Sequence, residues 1–253
     1  VELPTPLALE QTLPQATMLV VRLDLAELRK APVAAPYLGG GDREIAGLGS
    51  VKATCGFDPL VAARELALGV PHGNDSDFGI AAVTEGTSVE AIASCAEKMI
   101  TQRGGSPVRS NLGSFRTIRD ATQATGGEIA LRESAPVLIG GGSYLRAMVD
   151  AADGALPQIA TGGDHKDLRQ GLAGFDTLTA SIVLSEQQRQ TVREELARAA
   201  GKAPAALGLV QAAAIGVELD AVGAKAKLLV VTQEPAAAKQ VAEELGEFLS
   251  SAS

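Results

Sequence analysis

Gly140, Gly141, Gly142 and Ser143 form the best-developed local motif in the chain, lying between an apolar run and a helix-like run in IGGGSYLRAMVDAA. Such a turn presents backbone N–H groups and a helix N-terminus, the chemistry that holds a phosphate or a carboxylate. It departs from the P-loop, which places a Lys before the Ser or Thr, and from the GxGxxG turn of dinucleotide folds. These four residues are the candidate anion ligands. The plainer alternative is a tight turn with Ser143 capping the helix.

His72 (in HGNDSD) and His165 (in GGDHKD) are the two histidines, each with aspartates beside it: Asp75 and Asp77, Asp164 and Asp167. Zinc needs spaced His or Cys ligands on secondary structure, and calcium needs a longer carboxylate ladder. Neither pattern is met, so no metal site is expected and both loops read as solvated. A serine nucleophile needs an activating base, and GxSxG is absent around Ser50 and Ser143. CxxCH, the haem attachment signature, is missing as well. Glu194–Glu195 and Glu243–Glu244 have Arg or Lys nearby on helix-like runs, the usual solvated face. The expectation is no catalytic set and no cofactor.

Two cysteines remain, Cys55 in TCGFDP and Cys95 in AIASCAEKM. Two readings stay open on the residues alone: a pair of small buried thiols, or a disulfide that closes a loop of about 40 residues and contributes roughly 3–4 kcal/mol. A disulfide would place the protein outside the reducing cytosol.

Composition narrows the partners. The chain has 253 residues, a formal net charge of −8 and basic residues scattered among carboxylates. Polyanion binding needs clustered Lys and Arg, so nucleic acid is not expected. Aromatic residues make up 3 %, with no Trp, which argues against sugar or nucleobase platforms. No apolar run approaches the ~20 residues that cross a bilayer. The start at Val1 and the prolines Pro4, Pro6 and Pro14 suit a processed N-terminus, with a leader or lipid anchor once upstream of Val1.

The elements that must position these groups repeat. Glu65–Val70, Phe78–Val83 and a helix from Ser88 find a counterpart in Ala212–Leu219, Lys227–Val231 and a helix from Pro235. A strand and helix precede each set: Met18–Leu23 with Asp24–Lys30, and Leu178–Leu184 with Ser185–Ala200. A further helical stretch from Asp42 to Lys52 lengthens the first set. Ser114–Arg119, Glu128–Arg132 and Pro136–Ile139 read as strands, the first closing the earlier unit as βαββαβ. The fold expected is α+β, an internal duplication of a βαββα(β) ferredoxin-like unit with antiparallel sheets, side by side or joined. Its parts are an extended segment 1–15, a first unit 16–133, a connection 134–174 and a second unit 175–253.

The run TCGFDPLVAARELALGV, then a polar hairpin, FGIAAVTEG and a helix bearing a Cys, resembles a loosely defined group of uncharacterised secreted or lipid-anchored cell-envelope proteins of myxobacteria-like bacteria. Cys55, Gly56, Phe57, Asp58, Pro59 and Cys95 carry the likeness. VLIGGGSYLRAMVDAADG extends it, although members more often lack the triple glycine. The resemblance implies an exported, periplasmic or extracellular address and a Cys55–Cys95 disulfide, and it implies no activity. The function expected is therefore non-enzymatic: protein–protein contacts in the envelope, including self-assembly in which the proline-containing N-terminal segment adds to a neighbour's sheet edge. The other reading is a periplasmic protein binding a small molecule or anion, or an enzyme, in a cleft between the two units.

Overall fold

The computed structural model describes residues 6–34, 48–73, 77–123, 126–198, 208–220 and 223–251. Among the described residues ten strands make one antiparallel sheet. Near its middle, β1 (Thr17–Asp24) pairs with β2 (Ala63–Pro71) on one side and with β8 (Leu178–Val183) on the other. Beyond β2 come β3 (Gly79–Thr84), β7 (Val137–Gly140), β6 (Glu128–Leu131), β5 (Phe115–Asp120) and β4 (Pro107–Leu112). Beyond β8 come β9 (Val210–Leu219) and β10 (Ala224–Thr232).

Alternation along the strands sends apolar side chains to both faces, and helices cover both. Ala81 and Ala82 are consecutive in β3, as are Val137 and Leu138 in β7, so each pair points to opposite sides of the sheet. Ala81 and Leu138 pack with Tyr144, Leu145, Met148 and Val149 of helix α5 (Gly142–Ala152). Ala82 and Val137 pack with Ile92, Ala93 and Ala96 of helix α4 (Val89–Gln102) on the other side. Ser88 caps α4 by accepting from the Ala91 N–H. Helix α6 (Asp164–Gly171) lies on the α5 face, where Leu168 and the following Leu172 pack on Ala212 and Ala214 of β9. Helix α8 (Pro235–Ser251) buries Val241 against Val210. Short helices α1 (Leu25–Leu28), α2 (Leu48–Cys55) and α3 (Pro59–Ala62) lie between β1 and β2, and α7 (Glu186–Arg198) follows β8. The expected helix over 42–52 coincides with α2 from Leu48; residues 42–47 lie outside the described set.

Close packing under α5 depends on glycine. A Cβ at Gly69 would stand 2.1 Å from the Tyr144 hydroxyl, and one at Gly79 2.1 Å from the Met148 sulfur. Two strands are thus stripped of side chains where the helix crosses them.

The expected duplicated ferredoxin-like unit is not what the chain builds. A ferredoxin-like unit sets the two strands flanking each helix parallel, with another strand between them. Here β1 and β2, joined through α1–α3, are direct neighbours and antiparallel, as are β8 and β9 across α7. Nor does the strand at Phe115–Asp120 close the earlier unit: β7 pairs with β3, and β5 lies two places beyond it. There is one sheet, not two.

Residues 6–15 are part of the core. Leu9 opens a 3-10 turn (Leu9–Gln11) and packs with Leu13 in the cluster under α5, where Leu13 is 0 % exposed. Leu13 O accepts from the Ile159 N–H, and Glu10 pairs with Arg169 of α6 at 2.7 Å. This segment is engaged within its own chain.

Candidate functional site

Cys55 ends α2 and Cys95 lies in mid-α4, and the two are joined as a disulfide with a Cα–Cα distance of 5.0 Å. The bond fastens α2 to the helix that covers one face of the sheet. Thr54 adds a hydrogen bond of 2.8 Å to Gln102 at the far end of α4. The pairing that the family likeness implied is present. Neither cysteine is a free thiol.

The Gly140–Ser143 turn joins β7 to α5. Gly140 is required by close approach: a Cβ there would lie 2.7 Å from the Phe78 carbonyl oxygen. Gly142 has φ +62°, a left-handed conformation open to glycine at little cost. The helix N-terminus already faces a carboxylate of the chain itself, because the Ser143 hydroxyl donates to Asp77 at 3.2 Å. One flank of the turn is therefore internally satisfied, and the other opens onto a cavity that Gly141 and Gly142 line.

His72 and His165 are held by different partners. His72 Nδ1 lies 2.9 Å from the Gln188 side-chain oxygen at the start of α7. His165, 4 % exposed, has Nε2 2.8 Å from the Thr17 carbonyl and Nδ1 2.8 Å from the Ser181 hydroxyl. A carbonyl only accepts, so the ring proton sits on Nε2 and Nδ1 accepts from Ser181. A base on a serine hydroxyl is the arrangement that activates nucleophiles. The adjoining cavity measures about 30 Å³, room for a water but not for a substrate. The pair instead ties α6, β1 and β8 together, a contact invisible in sequence because its three parts are far apart in the chain. Beside it the Tyr144 hydroxyl bonds Thr17 at 2.7 Å, and burial pushes its pKa up to about 12. Among the described residues no group of three or more His, Cys, Asp or Glu is placed to hold a metal ion.

Burial holds the His165 pKa below its ordinary value. A base whose folded pKa is depressed favours folding where it is neutral, so its contribution is intact above about pH 6.5 and is lost as pH falls toward the folded value. Urea midpoints of the wild type are expected to fall from pH 7.5 to 5.5 more steeply than those of His165→Gln. Equal slopes would remove His165 from the account.

The two ends of the sheet differ. β4 begins at Pro107, which blunts an edge, and Arg109 on it pairs with Glu90 and Glu97 of α4. β10 is paired through nine residues to β9 on one side, and among the described residues nothing pairs with its other side. Leu228 is 51 % exposed and Val231 42 %. Sequence reading found this strand but not its place at the edge.

Among the described residues no helix is long and apolar enough to cross a membrane. No family model matches the chain, and no curated protein matches it. Two crystal structures of TP0453 are similar in fold. Crystal form III aligns with a TM-score of 0.54 and 6 % identity, covering 94 % of this chain and 86 % of that one. Crystal form I gives 0.51 and 6 %, covering 90 % and 80 %. At such identity the likeness is one of architecture.

Proposed function

We propose that the protein is an exported component of the cell envelope or extracellular space that works without catalysis, by protein contacts through the open edge of β10. The partner in this reading is a second copy of the chain. The edge carries the argument. An unpaired strand offers a row of backbone donors and acceptors, and natural proteins guard long edges with charge, proline or a bulge. β10 (AKAKLLVVT) has Lys225 and Lys227 in its first half and only aliphatic residues from Leu228 to Val231.

Self-pairing of β10 is electrostatically consistent in one orientation. An antiparallel pair centred on Leu228 sets Lys227 opposite Leu229 and Lys225 opposite Val231, so no like charges meet. A parallel in-register pair would stack lysine on lysine. The address rests on other grounds. Disulfides persist in oxidising compartments, and Cys55–Cys95 is such a bond. The Cys55–Pro59 run, which resembles that of secreted envelope proteins, points the same way. Donation of the N-terminal segment to a neighbour is disfavoured, since residues 6–15 fill the chain's own core.

Sedimentation over about 1–100 μM, the range of ordinary micromolar affinities, tests the reading. The wild type is expected to pass from monomer to dimer. Leu228→Lys with Val231→Lys should weaken association about tenfold or more while the melting temperature stays put, both side chains being exposed. A wild type that stays monomeric throughout, or a double variant that associates equally well, would count against it.

A further inference from the structure

At the end of the sheet away from β10, the α5 face carries a cavity of about 370 Å³ floored by β4, β5 and β6. Arg119 of β5 and Arg146 of α5 reach it from two different elements, with the hydroxyls of Ser110 and Thr117 and the Gly141–Gly142 backbone between them. The two hydroxyls are bonded to each other at 2.7 Å. Elsewhere in this region arginines are paired: Arg109 and Arg116 with Glu90, and Arg132 with Asp153. Arg119 and Arg146 are the exceptions, with no ion-pair or hydrogen-bond partner among the described residues.

Glu128 also lines the cavity. It stands opposite Arg119 in the β5–β6 register, yet the two make no ion pair within 4 Å. Counting Arg119 and Arg146 as positive and Glu128 as negative, the lining keeps one net positive charge. Arg146 is the fifth of the eleven residues of α5, past its first turn. An anion between the two guanidiniums would neutralise this excess positive charge. Arginine's planar fork suits oxyanions, which it grips through paired N–H donors.

We infer that this cavity binds the oxyanion group of a small ligand, a carboxylate or a phosphate, between Arg119 and Arg146. The site is independent of β10, so its failure and that of self-association are separable. It also relocates anion binding from the Gly140–Ser143 turn itself, one flank of which faces Asp77, to the cavity beside it.

Amide and arginine-side-chain NMR shifts of the ¹⁵N-labelled full chain test this, with inorganic phosphate and acetate titrated separately. Saturable shifts at Gly141, Gly142, Arg119 and Arg146 are expected with at least one anion, in the millimolar range typical of small anions. Preference for phosphate or for acetate identifies the source of the oxyanion. Arg119→Gln with Arg146→Gln should weaken binding by ~10-fold or more, since a hydrogen bond to a charged group is worth about a decade in affinity. Glu128→Gln should tighten it. Shifts that never saturate up to about 50 mM, well past the millimolar range, would overturn the inference. So would equal binding by the double variant when its spectrum shows it folded.

Discussion

Replacing Cys55 and Cys95 together by alanine is expected to lower the unfolding free energy by roughly 3–4 kcal/mol, the loop-entropy cost of freeing a crosslink. The crosslink spans 40 residues. That span contains α3, β2 and β3, so the bond restrains two central strands in the unfolded chain. In the folded state it holds α2 on α4, whose inner face covers Ala82, Ile118, Leu131 and Val137. Urea unfolding of the oxidised wild type, the reduced wild type and the double variant would show the last two close together and well below the first. A double variant within about 1 kcal/mol of the oxidised protein, far under the loop-entropy value, would mean that the unfolded chain gains little freedom from losing the bond.

Leu13→Ala is expected to cost about 2–5 kcal/mol, the range for emptying a fully buried leucine site. Leu13 is wholly inaccessible and packs against the Tyr144 and Met148 cluster, so truncation leaves a cavity between the N-terminal segment and α5. Such a loss distinguishes a segment that completes the chain's own core from one held ready for a neighbour. If Leu13→Ala changes stability by less than about 1 kcal/mol, below any fully buried leucine, residues 6–15 are not part of the core.

Much of the element order was legible. Met18–Leu23, Glu65–Val70 and Ala212–Leu219 announced β1, β2 and β9 through strand-length apolar runs, and the helix-like run from Ser88 announced α4, which Ser88 proves to cap. The strand Pro107–Leu112 gave no such signal, because most of its residues are exposed and it buries no apolar face. Pairing was the larger failure. β1 with β8 and β3 with β7 join segments distant in sequence, and local periodicity carries no information about which strand lies beside which. A repeated element order therefore suggested two ferredoxin-like units where the chain makes one sheet.

The site was legible to a similar depth. Two cysteines in a family-like frame pointed to the disulfide, and three glycines before a serine marked the β7–α5 turn. Asp77 beside Ser143, the Ser181–His165 tie and the convergence of Arg119 with Arg146 all depend on side chains brought together across the sheet. None has a fixed sequence spacing to betray it.

The most direct test of the central claim is amide hydrogen exchange across Lys225–Val231, followed as protein concentration rises. Strand pairing through β10 requires the amides that point away from β9 to gain protection in step with dimer population. Exchange in those amides that stays fast at every concentration, while sedimentation reports a dimer, would place the contact elsewhere and contradict the edge-pairing account.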